Sequence, residues 1–231
     1  PLLDRLVTLT RDLVLIPSTD NRPHERARCF GYLRDHLDTV DGVQIREFDS
    51  NGYGSLVATP QGIDHPDILM VGHLDVIEHP DAAVYGSRIA DGRIYGPGVG
   101  DMKGQLAIML ELFRTLQRTY PGISFGIAYT SDEEIGGQNG VKYLFETAGL
   151  RCRMAIVPDG GSINDITVAE KGILHARLTC RGQESHAARP WLVPNALLQL
   201  ADRIVGVTGE IDMLKVGPYP ARVRGGWPPL M

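Results

Sequence analysis

Sulfur is scarce in this sequence: its three cysteines, Cys29, Cys152 and Cys180, are widely spaced and odd in number. That fits neither a disulfide framework nor a cysteine-rich zinc site, so the thiols read as buried or incidental and a reducing cytoplasm is the expected compartment. No apolar run reaches the roughly 18 residues of a membrane span, and no membrane partner is expected. Clusters of Lys and Arg are also absent, and the formal net charge is −5. Without a basic face, the phosphate neutralisation that supplies most nucleic-acid affinity is lacking, so no nucleic-acid partner is expected and a small molecule or peptide is the default. The first residues show no charged region, apolar segment and cleavage site of the secretory kind. Internal repeats are missing, and so is a Gly-x-Ser-x-Gly elbow, which argues against a serine hydrolase of that type.

What is present is an ordinary globular composition, 43% hydrophobic and 22% charged, over 231 residues. At about 100–200 residues per domain, this length holds one α/β domain and part of a second. Leu2, Leu6, Leu9 and Leu13 recur at helical spacing until Pro17 stops the helix. Residues 27–37 read as a second helix, 43–48 and 55–58 as a short strand pair, and Ile68-Leu69-Met70-Val71 as a buried strand. Further strands are expected over 123–130 and 154–157. Leu106, Met109, Leu110, Phe113 and Leu116 form a helical stripe between strands, and residues 141–148 a shorter helix. This alternation predicts an α/β fold, a mostly parallel sheet with helices on both faces. From Gly172 the texture changes: Leu174, Ala176, Leu178 and Cys180 alternate with His175, Arg177 and Thr179, as in a strand with one solvated face. A boundary is expected near residues 169–172, then a helix over 195–205 and a Pro- and Gly-rich stretch over 217–231.

Four acidic or histidine clusters are each read as sitting just after a predicted strand, at the end where open α/β sheets place their ligands. In Gly72-His73-Leu74-Asp75 the two-residue spacing puts His73 and Asp75 on one side of an extended chain. A carboxylate there can take the second ring N–H of a metal-bound His; a structural histidine is the plain alternative. In Gly98-Val99-Gly100-Asp101-Met102-Lys103-Gly104 the glycines permit a tight turn that brings Asp101 to a helix mouth. A phosphate cradle fits poorly, because Asp101 stands where the dinucleotide fingerprint needs glycine and would repel phosphate. Asp132-Glu133-Glu134 places three adjacent carboxylates at a strand end, where they repel one another unless a cation offsets them. Taken alone that run reads first as a solvated acidic turn, and Asp159 in Pro158-Asp159-Gly160 as an ordinary turn residue. Together they supply one imidazole and several hard oxygens, a donor set for Zn²⁺ or another first-row ion. A carboxylate beyond the ligands would then serve as general base to a metal-activated water.

Three ordered blocks, Gly72-His73-Leu74-Asp75-Val76, Gly98-Val99-Gly100-Asp101-Met102-Lys103-Gly104 and Asp132-Glu133-Glu134-Ile135-Gly136, resemble those of a known family. It is the co-catalytic zinc peptidases and deacylases, which include acetylornithine deacetylase, succinyl-diaminopimelate desuccinylase, aminoacylase and the glutamate-releasing carboxypeptidases. The resemblance implies a zinc exopeptidase-like catalytic domain over residues 1–170, and the beginning of an inserted α+β lid and dimerisation domain over 171–231. It implies two divalent ions, zinc with cobalt or manganese as alternatives. His73 and Asp159 would bind one ion, Asp101 would bridge, Glu134 would bind the other, Glu133 would be the general base and Asp75 would steady His73. Within Ser185-His186-Ala187-Ala188 and Pro194-Asn195-Ala196 it implies substrate-binding roles: His186 stabilises the oxyanion in a neighbouring subunit's site, and Asn195 lies nearby.

One departure from the family pattern concerns the second ion, which normally takes a further His from a segment following the lid. After Asp159 the only histidines are His175 and His186, both in the lid region. The expectation is a truncated chain, lacking the C-terminal part of both domains, with one furnished and one incomplete metal site. The function expected is hydrolysis of an amide bond in an N-acyl amino acid or small peptide, the full-length family forming homodimers. The alternative is a truncated, catalytically inactive homologue that keeps the fold for binding or dimerisation.

Overall fold

The computed structural model describes residues 1–160, 164–168, 177–184, 186, 188, 192–213 and 222–223, without side chains for 205–213 and 222–223. The chain divides into two compact units, Pro1–Gly160 and Gly161–Met231. The boundary expected between residues 170 and 171 lies outside the described residues, as do Leu174, His175 and Ala176 of the strand expected there; its remaining residues, 177–180, are described and form no strand.

In the first unit, helix α1 (Leu2–Val14) buries Leu9 and Leu13, and helix α2 (Pro23–Leu37) buries Cys29, Leu33 and Leu37. The i, i+4 spacing of these residues places them on one stripe per helix. Strands β1 (Val43–Ser50) and β2 (Tyr53–Pro60) form a hairpin, followed by β3 (Ile68–His73). A small hairpin of β4 (Arg88–Ala90) and β5 (Arg93–Tyr95) comes next. Helix α3 (Gly104–Thr119), β6 (Phe125–Thr130) and β7 (Met154–Ile156) complete the unit.

The sheet runs β1-β2-β6-β3-β7. Strands β3, β6 and β7 are mutually parallel, whereas β1 pairs with β2, and β2 with β6, in antiparallel fashion. The sheet is thus mixed: the expected parallel part is the half that carries the site, and the hairpin adds the antiparallel half. Pleating sorts side chains by period two. Leu56, Ala58, Met70, Phe125, Ile127 and Tyr129 face α1, α2 and α3 in the larger core. Val57, Leu69, Val71 and Ala128 pack on the other face against Leu144 and Leu150, from the helical turn Tyr143–Thr147 and the loop after it.

Parallel register decides where the site lies. His73 pairs with Thr130 and Met70 with Ile156, so β3, β6 and β7 all end at one edge of the sheet. In the second unit, α4 (Ala196–Met213) covers and extends the helix expected over 195–205. Among the described residues no helix is long and apolar enough to cross a membrane.

Candidate metal centre

At the end of β3, Gly72 is closely packed: a Cβ there would meet Leu106 Cδ2 at 2.7 Å and Met102 Cε at 2.8 Å, so these side chains would have to shift. The next residue, His73, has a side chain only 2% exposed. Its Nδ1 faces two acceptors, the main-chain carbonyl of Asp75 at 3.0 Å and the Asp75 carboxylate at 3.4 Å. The nearer carbonyl takes the Nδ1–H, and the carboxylate adds charge. That arrangement leaves the Nε2 lone pair facing Asp101 Oδ1 at 2.9 Å, Asp159 Oδ2 at 3.7 Å and Glu133 Oε2 at 3.8 Å.

A lone pair set against three anionic acceptors is tolerated only with a cation between them, whether a proton or a metal ion. With only protons to share, burial pulls the His73 pKa down, but hydrogen bonding and charge from Asp75, with Glu133 and Asp159, outweigh it and push it up to about 9. The donor atoms of His73, Asp101 and Asp159 lie within 4.8 Å of one another, and so do those of His73, Glu133 and Glu134. One nitrogen with several carboxylate oxygens at this separation is a donor set that fits a first-row divalent ion.

Asp101 comes from the irregular turn Val99–Lys103, which opens on Gly98 in the left-handed region at φ 75°. A Cβ on Gly98 would also meet Val76 Cγ1 at 2.6 Å, so glycine is needed for both conformation and close approach. Glu133 and Glu134 sit on the 3-10 turn Glu133–Ile135 beyond β6. Burial raises the pKa of both; next in order, His73 lowers that of Glu133, and Asp101 further raises that of Glu134. The Asp75 carboxylate also accepts the Glu134 N–H at 3.0 Å, so one buried side chain sets both the imidazole and the acidic turn.

The structure brings His73, Asp75, Asp101, Glu133, Glu134 and Asp159 together. It does not bring Asp132 in, and the reading of three mutually repelling carboxylates is corrected here. Asp132 is 1% exposed, and its Oδ2 accepts the Asn139 N–H at 2.6 Å, away from the imidazole. Its role is to fold the loop back, and Gly140 makes room, since a Cβ there would lie 2.2 Å from Asp132 Oδ1. Strand β6 ends at Thr130 and Asp132 precedes the 3-10 turn that carries Glu133 and Glu134, so the acidic run is not one extended segment. An open groove of about 560 Å³ adjoins Glu133 and is lined by Gly136, Gly137, Val141, Lys142 and Phe145.

In the second unit, His186 Nδ1 accepts the Ala188 N–H at 3.2 Å. Asn195 Oδ1 accepts the N–H groups of Leu197 at 3.0 Å and Leu198 at 3.2 Å, which makes Asn195 the N-cap of α4. Ser185 and Ala187 lie outside the described residues.

Residues 69–221 match the pattern of peptidase family M20/M25/M40. The succinyl-diaminopimelate desuccinylase of Rhodospirillum centenum is 34% identical over 213 residues, 86% of this chain and 55% of that protein. Among solved structures, an M20 family metallo-carboxypeptidase from Sulfolobus solfataricus superposes with a TM-score of 0.66 at 20% identity, covering 87% of this chain and 49% of its own. Aminopeptidase PepT from Bacillus cereus superposes with a TM-score of 0.63 at 25% identity, covering 87% of this chain and 56% of its own. The chain spans about half the length of the curated relatives it matches.

Proposed function

Because the chain belongs to peptidase family M20/M25/M40, whose members are metal-dependent hydrolases, we propose that it hydrolyses an amide bond in an N-acyl amino acid or small peptide. The desuccinylase relatives make an N-succinyl amino acid the first substrate to test. The observation that carries the reading is the buried His73 Nε2 set against Asp101, Asp159 and Glu133.

In this reading His73, Asp101 and Asp159 would hold one ion, and Asp101 and Glu134 would share a second. Zinc is the first choice, with cobalt or manganese as substitutes. Bound there, the ions supply a Lewis acid that polarises the scissile carbonyl and brings the pKa of a water toward about 7. Glu133 has the basicity to take the proton of that water, because burial raises its pKa, and to return it to the leaving amine. Asp75 keeps the Nδ1–H in place, so that Nε2 presents its lone pair. Among the described residues no second histidine accompanies Asp101 and Glu134, so we assign the tighter affinity to the His73 set.

His186 and Asn195 enter the reading as substrate-binding residues of a homodimer, His186 toward the oxyanion in the neighbouring subunit. Their support is the motif alone, since the Asn195 oxygen already caps α4. The free thiols of Cys29, Cys152 and Cys180 suit a cytoplasmic setting. The test is release of free amine from N-succinyl and N-acetyl amino acids and dipeptides by the zinc-loaded protein. Hydrolysis should appear with metal and vanish in Glu133→Ala; undiminished hydrolysis by the variant would rule out Glu133 as the base, and no hydrolysis by either protein would favour a non-catalytic role.

A further inference from the structure

Lys103 stands two residues beyond Asp101, and its side chain is completely buried. Desolvating an ammonium is costly unless acceptors replace the water. Here Nζ donates to the Leu13 carbonyl at 3.0 Å and to the Ile16 carbonyl, both at the C-terminal end of α1. A helix C-terminus, with its exposed carbonyls and negative dipole end, is a natural seat for a cation. The ammonium thus bonds to main chain, and the charge of the Asp75 carboxylate adds an attraction.

The same segment grips the other ligand-bearing stretch. Ser18 is fully buried, its Oγ donates to the Leu74 carbonyl at 2.6 Å, and its own carbonyl accepts the Val76 N–H at 3.2 Å. Leu74 and Val76 flank Asp75 and follow His73 directly. Residues 13–18 therefore bond at one end to the turn that carries Asp101 and at the other to the stretch that carries His73 and Asp75. Between these two stretches His73 Nε2 approaches Asp101 Oδ1 at 2.9 Å, and the His73 N–H meets Met102 Sδ at 3.2 Å.

We propose that residues 13–18 form a strap that sets the separation of His73 from Asp101, with Lys103 and Ser18 as positioning residues acting through main-chain carbonyls. This rests on the metal-centre reading above. Neither side chain touches an ion or substrate; each acts on where the ligands stand.

The test is cobalt(II) titration of the metal-free protein, followed by visible d–d absorption, for the wild type, Lys103→Met, Ser18→Ala and, as reference, His73→Ala. Near-ultraviolet circular dichroism reports whether each variant is folded. Folded Lys103→Met should bind cobalt roughly 10-fold more weakly, the lower end of the effect of removing support from a metal ligand. Its bound-ion spectrum should change in band position and intensity, which loss of global stability alone would not produce. Ser18→Ala, which removes no charge, should move both readouts in the same direction by less, and it decides the matter by itself if Lys103→Met does not fold. Cobalt binding by the wild type but not His73→Ala, with the Lys103 and Ser18 variants matching the wild type in affinity and spectrum, would overturn the strap alone. A wild type that takes up no cobalt would overturn the metal centre and the strap together.

Discussion

The buried and open halves of the candidate centre are built by opposite means. His73 and Asp75 have side chains 2% and 4% exposed, each held by main-chain or side-chain partners inside the fold. Asp101 and Glu133 are 65% and 51% exposed, on turns that reach into solvent. The imidazole is therefore oriented by packing before any ligand arrives, whereas the carboxylates can adjust to an ion or a substrate. On the proposed reading the buried half orients one ligand, His73, while the open half supplies both a ligand, Asp101, and the general base, Glu133.

The sharpest way to break this division is His73→Ala, which should abolish saturable cobalt binding; retention of wild-type titration behaviour would show that the carboxylates suffice alone. On the open side, Glu133→Gln should lower amide hydrolysis by about 10²–10⁴-fold, the usual worth of a positioned acid–base group, while leaving cobalt affinity unchanged. Were affinity and rate to fall together, Glu133 would belong with the ligands. Asp75→Asn should cost roughly 10–100-fold in metal affinity, because it weakens the support of a ligand without removing the ligand. The smallest effects come from two glycines. Gly72→Ala forces a Cβ against Leu106 and Met102 and should lower stability to urea by about 1–3 kcal/mol. At Gly100 a Cβ would meet nothing within 4 Å, and Gly100→Ala should stay within about 0.5 kcal/mol of the wild type. Equal losses at both positions would mean that packing does not distinguish the halves.

Much of the fold was legible because its signals are local. The apolar runs of β3 and β6 and the leucine stripe of α1 appear where periodicity puts them. The β4–β5 hairpin was missed although its mark was present: Asp91 and Gly92 are both left-handed, at φ 51° and 70°, as a two-residue Asp-Gly turn requires. The antiparallel attachment of β2 to β6 left no such mark, since strand order is chosen by packing between distant segments. Within the site, His73, Asp101, Glu134 and Asp159 were legible from residue type and the glycines around them. Lys103 was not, because a lysine is ordinarily a surface residue and its acceptors, Leu13 and Ile16, lie far away in sequence.

The order of residues alone determined the local conformations and the inventory of donors: which stretches extend, which turn on glycine, and that one histidine accompanies several carboxylates. Only the tertiary structure decided which of those donors meet. Asp132 and Glu133 are adjacent in sequence yet point to different partners, while His73 and Asp159 come within 3.7 Å across two parallel strands. Backbone sterics act between neighbours and can be read along the chain. Convergence at the sheet edge is set by strand register and helix packing, through burial of apolar surface shared among segments that no local pattern connects.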